Sequence, residues 1–342
     1  MIKTLSYSQA VRQLDLPGAD RNLFSSPDWL MTLVNTYQLN LFVKYIEENG
    51  RVVSHIVYST VRNFLEWKIC ICSYCDYFDC QVASREHWQM FLDELHKEYP
   101  EYRIAVRNLR DEVVRAIPML KELSRERFHL LDLKSDVDTI WRRTHDSFKA
   151  AVRQGEKNGI VVKICPKAEL EKFYSLHLRI RKNKYRIFPQ PYRFFEKIWE
   201  QFMEKGKGIL LGAYSPQGEF IAGNIYLECG DTFYYKFNTS SLTALQLRPN
   251  NLLFWEGIKA AKERGLQSLD LGSSGYDQKG LILFKKHAGA EMSDIIHFGY
   301  EPAGYKFSEK RILRVMTKFF TQSWIPERVV RWGSEMIYPY LA

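Results

Sequence analysis

The chain has 342 residues, 46% hydrophobic and 26% charged, a length that suits two domains and a balance that gives each a core. Its formal net charge of +9 attracts anions: nucleic acid, an anionic membrane, a phosphorylated cofactor or an acidic polymer. No run approaches the ~20 apolar residues of a membrane-spanning helix, and the opening stretch lacks the apolar region of a secretory signal, so a cytoplasmic location is expected.

Ser26-Pro27-Asp28-Trp29 predicts a helix start, with Ser26 as cap, Pro27 at the first helical position and Asp28 at the positive end of the dipole. Strands are expected around residues 41–45, 52–58 and 64–72, with Gly50 turning the chain between the first two. A helix over 85–97 precedes strands at 102–106 and 128–131. Four of the six cysteines, Cys70, Cys72, Cys75 and Cys80, crowd this half. Their spacing matches no zinc pattern, and Cys70 and Cys72 share a strand face, so reduced buried thiols and no metal are expected.

From about residue 135 the pattern begins again. Residues 137–158 predict one basic helix, carrying Arg142, Arg143, Lys149, Arg153 and Lys157 and stopped by Gly159; its charge serves phosphate contact or a plain solvated face. Residues 160–165 form a β-branched strand, and 168–182 and 193–204 form helices. Strands at 208–214, 220–228 and 232–238, joined by turns at Pro216-Gln217-Gly218 and Gly230-Asp231, predict an antiparallel meander. Phe254, Gly257, Ile258 and Ala261 make the apolar stripe of a helix over 251–264. A short strand at Leu269-Asp270-Leu271, a helix over 279–287 and a strand at 295–300 complete the sheet.

This order predicts an α/β (α+β) fold with mixed, mostly antiparallel sheets flanked by helices, the first half reading as a weaker version of the second. The expected divisions are 1–134, 135–302 and a helical tail, 303–342. In the tail, Ser308 caps a helix to about residue 322, with Ile312, Met316 and Phe319 on one stripe and Arg311, Arg314 and Lys318 on another. Such a helix packs on the body or lies on an anionic membrane surface.

The run Arg248-Pro249-Asn250-Asn251-Leu252-Leu253-Phe254-Trp255-Glu256-Gly257-Ile258-Lys259-Ala260-Ala261, then Arg264-Gly265, Asp270-Leu271-Gly272, Phe284-Lys285 and Gly289-Ala290, resembles the FemAB and CelD-like (BioF-like acetyltransferase domain) branch of the GNAT superfamily. Ser25-Ser26-Pro27-Asp28-Trp29-Leu30, the basic stretch before Gly159, and Tyr77 in an Asp-Tyr loop extend the likeness. The resemblance implies two tandem GNAT-like domains, the first degenerate and the second holding the active site. It implies transfer of an acyl group from acetyl-CoA or another acyl-CoA to an amine or hydroxyl of a sugar, lipid-linked cell-envelope intermediate or small metabolite, by direct attack in a ternary complex. Relatives that use charged tRNA leave tRNA-dependent aminoacyl transfer as an alternative, and a non-catalytic anion-binding shell is a third. No helix-turn-helix, zinc finger or RNA-binding motif is present, and no DNA partner is expected.

Acyl transfer requires a held donor, a nucleophile that loses a proton, and stabilisation of charge on the carbonyl oxygen. GNAT enzymes hold the donor pyrophosphate on N–H groups where a helix begins, here near Asn250 and Asn251. The preceding loop lacks glycines and Pro249 lacks an N–H, so Arg248 is expected to compensate by charge. Asn250 and Asn251 meet the donor or simply cap the helix, and Asn238 is a candidate for bonding pantetheine or acceptor. By resemblance, Lys285 faces the reaction cleft to hold phosphate or steady an oxyanion; otherwise it is a surface lysine beside Lys286. Tyr276 is a candidate acid for the leaving thiolate, or a loop tyrosine. Asp270 orients an amine, or accepts turn N–H groups from Ser273 or Ser274. His177 and Arg181 lie one helical turn apart; with Lys184 and Arg186 they bind an acidic acceptor, His177 acting as base, or form a solvated face.

Overall fold

The computed structural model describes residues 2–18, 20–62, 67–71, 73–78, 80–110, 112–305, 315 and 317–338. The chain divides into two units, one of Met1–Glu126 with Asp294–Val315 and Ile337–Ala342, the other of Arg127–Ser293 with Met316–Met336.

The first unit runs β1 (Ile2–Ser6), α1 (Tyr7–Gln13), α2 (Pro27–Tyr37), β2 (Leu41–Glu48), β3 (Arg51–Arg62), β4 (Trp67–Ile71), α3 (Arg85–Glu98), β5 (Arg103–Asn108) and α4 (Glu112–Arg115), and leads into β6 (Lys121–Asp132). Ser26 caps α2 as its sequence dictates, its Oγ accepting the Trp29 N–H at 3.3 Å. Cys70, Cys75 and Cys80 are buried and not in disulfides; Cys72 lies outside the described residues.

The second unit continues with α5 (Val137–Arg143), α6 (Asp146–Lys157), β7 (Val161–Ile164), α7 (Leu170–Ile180), α8 (Tyr192–Ile198), β8 (Gly208–Tyr214), β9 (Phe220–Cys229), β10 (Thr232–Ser240), α9 (Pro249–Glu263), β11 (Ser268–Ser274) and α10 (Lys279–His287). The chain then forms β12 (Glu291–Tyr300) and, later, α11 (Glu327–Ile337). The single basic helix expected over 137–158 is two helices. Thr144 and His145 are extended between them, and each helix has its own cap, Asp136 accepting from Thr139 N and His145 from Ser147 N. Each helix thus starts at its own local acceptor, and the second start, at His145, is concealed by a shared apolar stripe.

Strand pairing shows the repeat expected between the halves. In the first unit β1, β2, β3 and β4 pair antiparallel in sequence, β4 pairs parallel with β5, and β5 pairs antiparallel with β12. In the second, β7 to β10 pair antiparallel, β10 pairs parallel with β11, and β11 pairs antiparallel with β6. The succession is the same, with the final strands exchanged. The strand expected to close the second sheet at 295–300 instead sets Ile296–Tyr300 against Asn108–Ile104 of β5. Alternation within a strand encodes which face is buried; it does not encode which neighbour it pairs with.

Two helical layers cover the second sheet. Gly223 of β9 backs onto Phe173 of α7, whereas Tyr226 of the same strand backs onto Gly257 of α9; their opposite parity puts the layers on opposite faces. Tyr226 stacks on Phe233 at 4.9 Å, and Tyr235 meets Phe254 edge-on at 5.3 Å. In the tail, Ser308, Arg311, Ile312, Arg314 and Met316 of the expected helix lie outside the described residues. Its later part is tied to the second unit by ion pairs Arg179–Glu327 (2.9 Å) and Arg331–Glu171 (2.7 Å). Among the described residues no helix is long and apolar enough to cross a membrane.

A Cβ at Gly257 would overlap the Tyr226 hydroxyl, while one at Gly280 meets open space. Gly257→Ala is expected to cost about 1–3 kcal/mol by overpacking. Gly280→Ala, in α10, is expected to be neutral or stabilising by up to ~1 kcal/mol. Chemical denaturation of the two variants checks the contrast.

Candidate active site

β10 and β11 pair only through Thr232–Tyr234 with Ser268–Asp270, after which β10 continues to Ser240 and β11 to Ser274. Both strands are irregular just where pairing stops: β10 shifts register against β9 between Tyr235 and Phe237, and β11 against β6 between Asp270 and Ser273. Bulges bend and twist a strand, so the parallel pair parts.

The β11 bulge is held on both sides of Gly272. Asp270 Oδ1 accepts the Gly272 N–H at 2.7 Å, and Gly272 takes a left-handed φ of 66°. From α10, Lys285 Nζ donates to Gly272 O (3.1 Å), Ser273 O (2.9 Å) and Ser274 Oγ (2.8 Å). These acceptors occupy all three donors of an ammonium group. Lys285 is 3% exposed. The expectation of a cleft-facing or surface lysine is therefore corrected: carbonyls that leave the strand ladder need new donors, and Lys285 supplies them. Asp270 is also a turn acceptor, at Gly272 rather than at Ser273 or Ser274. Beside them on β6, His129 is buried without a hydrogen-bond partner for either ring nitrogen. Burial, then the charges of Lys285 and Arg127, push it down to about 4.

α9 starts at Pro249, and its cap position is Arg248, left-handed at φ 64° with no side-chain cap bond. Asn250 and Asn251 thus fall inside the first turn, which corrects the expectation that they cap it; the proline fixes the start one residue earlier. Asn250 Nδ2 donates to Ser240 Oγ at 3.3 Å. Arg248 and Asn251 line a cleft of about 580 Å³ with Gln154 of α6 and Phe284 and His287 of α10. The positive end of α9 and a full arginine charge meet here, a combination suited to an anion. α6 forms a wall by close approach: a Cβ at Gly155 would press on Leu252 and the Arg248 carbonyl, and Asn158 Nδ2 donates to Leu247 O at 3.0 Å.

Two cleft residues, Ser147 and His287, and their neighbour His145 escape sequence reading. The His145 and His287 rings stack at 4.0 Å, 9° from parallel, and Ser147 Oγ sits 2.9 Å from Nδ1 of each. The Ser147 N–H donates to His145 Nδ1, which fixes that nitrogen as an acceptor. Burial and then the charges of His145 and Lys286 lower the pKa of His287. The only sequence signal was a capping residue ahead of α6; its partner is distant in the chain.

The other candidates lie elsewhere. His177, 1% exposed, meets Phe173, Phe195 and Phe237 at centroid distances of 6.1, 5.0 and 6.4 Å. Its Nε2 contacts Gln190 Oε1 at 2.8 Å, and burial, then Arg181, push it down to about 3. It is a neutral imidazole in an aromatic layer, which corrects the solvated-face reading. Arg186 donates to Thr321 O, and the neighbouring Lys182 to Ile325 O, so both hold the tail. Arg181 is half-buried and Lys184 exposed. Tyr276 is 44% exposed, with the Arg127 guanidinium 4.5 Å from its ring centroid. Asn238 Nδ2 donates to Asn224 Oδ1 at 2.7 Å. The structure thus joins Asp270 with Lys285 at the bulge and Arg248 with Asn251 at the cleft, whereas His177, Arg181, Lys184, Arg186, Asn238 and Tyr276 do not line that cleft.

A meander whose last strand pairs in parallel and then parts beside a helix start is the strand arrangement of a GNAT-like domain, and residues 142–280 match the family model described as an acetyltransferase (GNAT) domain. The matched residues lie in the second unit, and the chain as a whole has the fold of solved tandem GNAT-like proteins. It is similar to FemX, with 15% identity and a TM-score of 0.65 over 92% of this chain and 100% of that one. A tandem GNAT protein from the clavulanic acid biosynthesis pathway matches at 11% identity and TM-score 0.55, covering 90% and 100%. L-PGS from Bacillus licheniformis matches at 13% and 0.53, covering 88% and 91%. No curated protein matches the sequence.

Lys285→Met is expected to lower stability by about 1–3 kcal/mol, because buried carbonyls lose their donor; urea denaturation reads this. His177 has a folded pKa below its unfolded value, so its contribution is complete above the unfolded pKa of about 6.5 and is lost as pH falls through the acid range. His177→Phe is expected to flatten the fall in unfolding free energy between about pH 6.5 and 4, measured by denaturation across pH.

Proposed function

We propose that the second unit transfers an acyl group from an acyl-CoA donor to an amine or hydroxyl of a sugar, cell-envelope intermediate or small metabolite, within the cytoplasm and by direct attack in a ternary complex. The observation that carries this reading is the parting of β10 from β11 beside the cleft where α9 begins. Beyond Tyr234 the edge of β10 no longer pairs with β11, which in this reading gives an extended donor arm its place, while Arg248 and the positive end of α9 hold its phosphates. Asn238, on the far end of β10, is placed in this reading to bond the arm or the acceptor. Lys285 and Asp270 act as positioning residues that keep the slot open. Tyr276 is the candidate acid for the leaving thiolate, and Arg181 and Lys184 are candidates for an acidic acceptor. His177 supports the aromatic layer and is not assigned the base.

One observation favours a second donor. Pro249 removes an N–H from the phosphate loop and Arg248 occupies the left-handed position there, so charge replaces part of the usual backbone cradle. Aminoacyl-tRNA, used by relatives in the family the sequence resembles, suits such a loop.

Transfer assays with acetyl-CoA and with aminoacyl-tRNA, run beside calorimetry, separate these readings. Arg248→Ala is expected to raise the donor KM roughly tenfold through loss of a charge-assisted contact, with kcat changed much less. Absence of transfer and of binding with either donor would leave only the anion-binding shell.

A further inference from the structure

A second groove runs along α6. Trp141 and Arg142 of α5 and Asp146, Lys149, Ala150 and Arg153 of α6 line about 510 Å³. Ala150 also lines the donor cleft, so the two spaces adjoin. Three cations face this groove against one carboxylate, Asp146, whose side chain is 96% exposed.

Its cations are positioned by neighbours. The Arg153 guanidinium lies 5.9 Å from the Trp141 ring centroid, and Trp255 contacts Trp141 at 4.6 Å. Lys149 Nζ donates to Arg142 O and Asp146 Oδ1, both at 3.2 Å. Arg142 donates to Thr139 Oγ1 at 2.9 Å, and Thr139 is itself bonded to Asp136, the cap of α5. Clustered like charge carries a self-repulsion that a bound anion relieves, and ordering the side chains beforehand lowers the entropic cost of binding it. The indole beside the cations adds an apolar surface of the kind a nucleoside covers.

We infer that the Trp141–Arg142–Lys149–Arg153 groove is a subsite for the phosphorylated nucleoside end of the acyl donor. The inference rests on the reading of the adjoining cleft as the donor site. Two donors share this chemistry: CoA, through its 3′-phosphoadenosine, and charged tRNA, through its terminal nucleotides.

Calorimetry on the full chain at low salt, with CoA, dephospho-CoA and tRNA as probes, tests it. The variants are Arg142→Ala/Arg153→Ala, Lys149→Gln and, for the cleft alone, Arg248→Ala, each checked for an unchanged melting temperature. If CoA is the source, wild type prefers CoA to dephospho-CoA, and the double variant erases that preference, a loss of roughly tenfold. If tRNA is the source, the same substitutions weaken tRNA by a similar factor and flatten its salt dependence, with CoA and dephospho-CoA indistinguishable. Affinities for both donors within about twofold of wild type in the double variant and in Lys149→Gln would overturn the subsite. If Arg248→Ala still weakened binding in that case, the cleft reading would survive without it. No binding of any probe by wild type would overturn both.

Discussion

The second unit depends on how one peptide segment is held after it leaves its sheet. β11 pairs with β10 for three residues and then bulges at Gly272. Asp270 takes the amide of that glycine and Lys285 takes its carbonyl. The carboxylate meets the N–H of one peptide and the ammonium the carbonyl of the next, each charge matched to the end of the peptide dipole it faces. Burying an ammonium and a carboxylate is costly unless their polar capacity is filled; here the bulge that would otherwise expose bare carbonyls fills that of the ammonium. Strand and ions therefore solve each other's desolvation problem, and the parting of β11 from β10 becomes a stable feature of the fold.

The exchanged strands bear on the same point. β6 begins among first-unit residues and contributes Arg127–Asp132 to β11, while β12 leaves α10 and pairs with β5. β11 is thus paired by a segment distant in sequence on one side and by β10 on the other. Its bulge must satisfy both neighbours, and the register shift against β6 falls where pairing with β10 ends. Closing such a sheet requires long-range contacts, whose loop-closure entropy makes the second unit's last pairing dependent on the first half of the chain.

Much of this was legible in the sequence for a definite reason. The meander, α9 and α10 follow from short turns and helical stripes, because each is a local pattern with one buried face. The start of α9 was legible too, although Pro249 moved the cap to Arg248. What escaped reading is what depends on partners far along the chain. Lys285 beside Lys286 gives no sign of which lysine turns inward; only the bulge carbonyls decide it. His145 and Ser147 meet His287 across the two helices that flank the cleft. His177 sat on a helix face with Arg181, Lys184 and Arg186 close by, yet the aromatic rings of α8 and β10 cover it. The break at Thr144-His145 was local, but a cap at His145 inside one basic stretch resembles a continuous helix until its backbone angles are seen.

That break has a consequence for the basic groove along α6. A continuous helix from 137 to 158 would carry Trp141 and Arg142 along a straight axis, away from Arg153 on successive turns. With Thr144 and His145 extended, α5 folds back so that Trp141 reaches the Arg153 guanidinium and Arg142 its bonded neighbour Lys149. The same turn stacks His145 on His287, which lines the cleft beside the start of α9. One short extended link, made affordable by Asp136 and His145 as caps, therefore gives α6 two working faces. On one, close packing at Gly155 sets it against the start of α9; on the other, it gathers cations that a single amphipathic helix would have dispersed into solvent.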